Sequence, residues 1–142
     1  MIYNDKELAS LIGQVKTIAV VGAKDKPGQP VDMVGRALIE AGFQVIPVHP
    51  KRSTVWGLPA YPSLADVPCS LDLIDLFRAP QYCPEHARET MALASRPRCF
   101  WMQTGIASPE AREILKGSGV FVVEDRCLMV EHKRLLGGGR NG

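Results

Sequence analysis

The chain has 142 residues, a formal net charge of +2, 46% hydrophobic and 23% charged residues; that is enough for one domain with a real core and too little charge for nucleic acid to be the main partner. No apolar run approaches the roughly 20 residues of a membrane span, and Met1-Ile2-Tyr3-Asn4-Asp5 lacks a charged-then-apolar leader, so a cytoplasmic location without a membrane partner is expected. Cys69, Cys83, Cys99 and Cys127 show neither C-x-x-C nor paired spacing, which points to free thiols in a reducing compartment and to no metal site.

In chain order, Asp5 is placed to cap a first helix, Lys6 to Ile12, with Leu8, Leu11 and Ile12 on one face and Gly13 at its end. The apolar run Thr17 to Val21 reads as a central parallel strand covered on both faces. It enters the loop Gly22-Ala23-Lys24-Asp25-Lys26-Pro27-Gly28-Gln29-Pro30, and a helix from about Val31 to Ala41 follows. Strand, small-residue loop, helix is how an α/β sheet presents main-chain N–H groups to a phosphate. Gly22 and Gly28 allow close approach to the backbone, the helix start adds partial positive charge, and Lys24 and Lys26 add full charges. This stretch is the candidate phosphate cradle. Gly35 inside the helix costs about 1 kcal/mol relative to Ala, which close packing would explain.

Gln44 to Val48 is the second strand, with Pro47 near its end. His49-Pro50-Lys51-Arg52-Ser53 follows, where the ribose end of a nucleotide lies in such folds. Val55 to Pro62 reads as loop, and Ser63 to Pro68 as a capped helical turn. Leu71 to Phe77 is the third strand, less fully covered because Asp72 and Asp75 interrupt it near its start. Arg78-Ala79-Pro80 leaves it, and Glu85 to Ala94 is helical. Arg98 to Gln103 is the fourth strand, ending in Thr104-Gly105-Ile106. Ser108 and Pro109 cap and start a helix to about Lys116. Val120 to Glu124 is the fifth strand, followed by Asp125-Arg126-Cys127. A short helix over Val130 to Leu136 closes a domain of residues 1–136, and residues 137–142 form a flexible Gly-rich tail.

Alternating strands and helices predict a single Rossmann-like α/β domain: a five-stranded parallel sheet, order 3-2-1-4-5, with helices on both faces. The crevice would lie beyond the strands' carboxyl ends, between the first and fourth strands, where the loops 22–30, 49–53, 78–80 and 103–106 converge. The cradle is neither G-x-G-x-x-G nor G-x-x-x-x-G-K-[ST], which argues against a Walker-type NTPase. No acid ends the second strand to bind a ribose 2′-OH; Lys51 and Arg52 suit a phosphorylated ribose, found in NADP and in coenzyme A.

Ile18-Ala19-Val20-Val21-Gly22-Ala23, Val45-Ile46-Pro47-Val48-His49-Pro50, Tyr61-Pro62-Ser63-Leu64, Asp75-Leu76-Phe77-Arg78, Trp101-Met102-Gln103-Thr104-Gly105 and Asp125-Arg126-Cys127, in this order, resemble the stand-alone CoA-binding domain family. Its domain is also similar to the CoA-binding domain of succinyl-CoA synthetase α subunits. The resemblance implies bound coenzyme A or an acyl-CoA: Gly22, Ala23 and Lys24 against the pyrophosphate with Gln29 and Pro30 beside it, and Lys51 answering phosphates near the adenosine. Ala79 and Pro80 would line the nucleotide, and Gln103, Thr104 and Gly105 would close the far wall. Two positions depart from the family: Ser is usual after Gly-Ala, and Arg-Pro-Ser where this chain has Gln29-Pro30-Val31, so a hydroxyl and a guanidinium suited to phosphate are missing.

The ligase activity of the synthetases does not carry over, since it needs a phosphorylated histidine and a further subunit. His86 and His132 read as surface residues, and His49 borders the crevice without an evident acid or nucleophile. Cys127, after Arg126, is the thiol expected near the crevice and able to form a mixed disulfide with CoA. The expected function is a CoA-binding carrier, sensor or partner module, with a homodimer or an unidentified protein as possible partner. The alternatives are a minimal NADP-binding oxidoreductase, which the short chain disfavours, and an interaction domain with a vestigial nucleotide site.

Overall fold

The computed structural model describes residues 3–137; the glycine-rich tail lies, apart from Gly137, outside the described residues. Five parallel strands form the sheet: β1 (Thr17–Val21), β2 (Gln44–Val48), β5 (Leu73–Leu76), β6 (Cys99–Met102) and β7 (Phe121–Val123). A two-stranded antiparallel hairpin, β3 (Thr54–Val55) and β4 (Leu58–Pro59), stands apart from it. The helices are α1 (Asp5–Gly13), α2 (Pro30–Glu40), α3 (Cys83–Ala92), α4 (Pro109–Leu115) and α5 (Leu128–Leu136). Asn4, not Asp5, caps α1 by accepting from the Glu7 amide, and Asp5 instead pairs with Arg134 of α5. Ser108 caps α4 as expected, ahead of Pro109.

The sheet is parallel and flanked by helices, but its order is β2-β1-β5-β6-β7. In the numbering of the five predicted strands this is 2-1-3-4-5, not 3-2-1-4-5. The third predicted strand pairs with β1 on the side away from β2. Two contacts account for this. The Asp72 carboxylate accepts from the amides of Lys16 and Thr17, docking the start of β5 beside β1. The outer edge of β2 is meanwhile occupied by Tyr61, which donates to the Pro47 carbonyl and accepts from the His49 amide. Pro47 lacks its donor on that outer side, where an edge strand tolerates it. The order therefore reverses between β1 and β5, and that is where a crevice opens in an α/β sheet.

Two apolar layers cover the sheet. Ile18, Val20, Leu73 and Trp101 meet Leu8, Val34, Leu38 and Leu128 of α1, α2 and α5 on one face. Ala19, Ile74, Leu76, Phe100 and Met102 meet Ala87, Ala111 and Leu115 of α3 and α4 on the other. β5 is buried along its whole length, so the expectation of a partly covered strand is wrong. Asp75 lies inside it at 0% exposure, with neither carboxylate oxygen hydrogen-bonded. His132 is likewise buried, its ring 4.9 Å from that of Phe43, and is not the surface residue expected. His86 is partly buried, its Nδ1 2.6 Å from Glu89.

Candidate functional site

At the carboxyl ends of the strands lies a cleft of about 1200 Å³. All the candidate binding residues line it except Ala23: Gly22, Lys24, Gln29, Pro30, His49, Lys51, Ala79, Pro80, Gln103, Thr104, Gly105 and Cys127. Ala23 is wholly buried in the core under the loop, so it supports the cleft without facing it.

The cradle works differently from the expectation. The amides of Gly22 and Ala23 both donate to the Val48 carbonyl, at 3.0 and 3.2 Å, and are not available to a ligand. Gly22 is required by its neighbours: with φ +85°, a Cβ there would stand 2.7 Å from the Phe77 carbonyl oxygen. In the first turn of α2, Asp32 and Met33 donate to Gln29 and Pro30 has no N–H, which leaves the Val31 amide without a partner among the described residues. Val31, at the positive end of the helix, is one of the residues that line the cleft.

The charges also sort differently. Arg52 is held by Asp25 at 2.8 Å and Asp25 also accepts from the Trp56 amide, so Arg52 is tied to that loop and does not line the cleft. Lys26 does not line the cleft, whereas Lys24 and Lys51 do. Arg78 lines it too, its guanidinium 4.3 Å from the Tyr82 ring centroid. Sequence reasoning placed Arg78 in a loop at the right end of a strand but did not name it for the site. The Phe77-Arg78 step was the available signal, once β5 is known to flank the switch point.

His49 Nδ1 accepts from the Lys51 amide at 3.0 Å, which fixes the neutral ring with its proton on Nε2. Partial burial, reinforced by Arg52, Lys24, Arg78 and Lys51, holds the imidazole below the usual histidine range. At the other end, Gln103 is only 4% exposed, and its side-chain oxygen accepts from the Leu128 amide at the start of α5. The Asp125 carboxylate accepts from the Gly105 amide and so latches the Thr104-Gly105 loop to β7. Arg126 pairs with Glu131 and lies over the Tyr3 ring, so its charge is engaged away from Cys127. Burial pushes the Cys83 thiol up to about 11 and raises Cys99 well above its ordinary value; Cys127 is the thiol in the cleft.

The arrangement can hold a long anion. Its lining contains Lys24, His49, Lys51 and Arg78 and, among the described residues, no carboxylate. No group of three or more His, Cys, Asp or Glu residues suited to a metal ion occurs among them either. Among the described residues no helix is long and apolar enough to cross a membrane.

Comparison with known proteins agrees with this chemistry. Residues 16–133 match a family described as CoA binding domain. The protein YneT of Bacillus subtilis (strain 168) is 34% identical over 126 residues, 89% of this chain and 92% of its own. A structure from Thermus thermophilus, cell-free ID.343, superposes with a TM-score of 0.88 at 45% identity, covering 94% of this chain and all of that one. A 4-hydroxybutyrate–CoA ligase [ADP-forming] of Nitrosopumilus maritimus (strain SCM1) is 47% identical over 60 residues, 41% of this chain but 8% of the ligase.

Proposed function

The chain belongs to the CoA binding domain family, and on that premise we propose that its cleft holds coenzyme A or an acyl-CoA as a carrier, sensor or partner module. The observation that carries the reading is the cluster of Lys24, Lys51 and Arg78 in a cleft whose described lining has no carboxylate. Phosphates belong at this end, against the cations, the Val31 amide and the Nε2–H of His49. Arg78 supplies a guanidinium that the family pattern puts at position 29, where this chain has Gln29. Strand spacing supports the match in length: the ends of β2 and β7 lie about 19 Å apart across four intervals, room for a ligand that is polar at one end and extended beyond it. The pantetheine arm follows Gln103 and Thr104 toward Cys127.

Titration with CoA and NADPH tests the reading. CoA is expected to bind and NADPH to bind far more weakly, whereas preference for NADPH would transfer the site to a reductase and silence from both would leave an interaction domain. Lys51→Glu and Arg78→Ala should each weaken CoA by about 1–3 kcal/mol, the range for a lost charge-assisted contact. Placement of the thiol end is tested with CoA disulfide. The Cys127 thiolate would displace one CoA as its thiol and keep the other in a mixed disulfide. Intact mass should rise by one CoA less two hydrogens, mapped to Cys127; an adduct confined to the exposed Cys69 would remove this placement.

A further inference from the structure

The cleft is chemically uneven along its length. Its cationic side chains, His49 included, all follow β1, β2 or β5. Past Gln103 the wall changes to Ile106, Cys127 and Met129. α2 and α5 both start at the strands' carboxyl ends, cover the same sheet face and touch each other, and both contribute to the lining. α2 contributes Met33 and Val34 to the lining. Met33 is 56% exposed, an unusual position for a large apolar side chain in this molecule, and Met129 lines the same space.

Resting on the CoA reading, we infer that this end is an acyl subsite, and that the protein prefers CoA thioesters of uncharged aliphatic acids to free CoA and to esters of dicarboxylic acids. With the phosphates held by Lys24, Lys51 and Arg78, the cleft continues only toward β7, so a thioester's acyl group arrives among Met33, Ile106 and Met129. Methionine is unbranched and polarizable and adapts to chains of different length. Each methylene taken fully out of water is worth about a fourfold gain in affinity, and a surface as open as Met33 recovers part of that. A terminal carboxylate there would lose water and meet no cation in Met33, Ile106, Cys127 or Met129.

The test is equilibrium titration of the whole chain with CoA, butyryl-CoA, hexanoyl-CoA and succinyl-CoA. Affinity should rise by about two- to fourfold per methylene from butyryl to hexanoyl, with hexanoyl-CoA at least about tenfold tighter than CoA and succinyl-CoA no tighter than CoA. Met33→Glu, at an exposed site, should abolish most of the hexanoyl-to-CoA ratio. CoA and hexanoyl-CoA binding within about twofold of each other, or tighter succinyl-CoA, overturns the subsite while leaving the CoA reading intact. Failure of CoA and every thioester to bind overturns the CoA reading and the subsite together.

Discussion

Asp75 is a carboxyl group wholly buried in the sheet with no hydrogen-bond partner for either oxygen. Complete burial without a partner raises its carboxyl well above the ordinary value, so the folded protein keeps a proton that the unfolded chain has released. Raising pH therefore favours unfolding, by about 1.4 kcal/mol per pH unit from near 4 up to the raised folded value. Asp75→Asn removes that dependence, and urea denaturation across about pH 5 to 8 should give a flatter stability profile than wild type; parallel profiles would show the acid has no such effect. His49 acts in the same sense, but on binding rather than on folding. Its imidazole is depressed in the free protein by burial and by surrounding cations, and a bound phosphate would raise it, so binding takes up a proton and tightens as pH falls through the histidine range. The difference between wild type and His49→Gln isolates this contribution from protonation of the ligand itself. Neither residue's environment was readable from the chain, because each depends on what other strands bring beside it.

The β3–β4 hairpin is the element that sequence patterning missed. Its strands are two residues each, too short for alternation to register, and its turn, Trp56-Gly57, has φ of +54° and +72°. Two successive positive φ angles make the tight turn that matches strand twist. Gly57 adopts this freely; Trp56 does so because its indole is anchored on α2, donating to Asp32 at 2.8 Å. The ring fills the space beside Gly35, where an added Cβ would collide with the indole's Cη2 and Cζ2. Gly35, whose cost in the helix the sequence reading put down to close packing, is thus the seat for the hairpin's Trp56. Gly35→Ala should destabilise the fold by about 1–3 kcal/mol through overpacking, although Ala favours helix by about 1 kcal/mol. A midpoint that moves to higher urea would contradict this account. Strand cores and the Ser108-Pro109 start of α4 were legible because apolar runs and capping residues are local signals. The sheet order was not, because it was decided by Asp72 and Tyr61 reaching partners far along the chain.

Across the whole molecule, the convergence of four loops at one edge of the sheet was readable from alternation alone, and it survives the change in strand order because every strand still points the same way. What the altered order changes is the centre of the cleft, which moves to β5 and brings in Arg78. Ligand that binds only the folded chain raises its apparent stability by mass action, by about 2.7 kcal/mol at a hundred times the dissociation constant. A melting temperature that climbs with CoA concentration in wild type and much less in Arg78→Ala would join site and fold in one measurement. The chain's two tryptophans are each anchored by a residue next to one that lines the cleft. Trp56 is tied to Asp25 and Asp32 beside the cationic loops, and Trp101 donates its indole proton to the Arg126 carbonyl, one residue before Cys127. The protein therefore contains two native fluorophores with different anchors. With Trp56→Phe and Trp101→Phe, emission would resolve whether a nucleotide fragment and a thioester tail engage in one step or in succession.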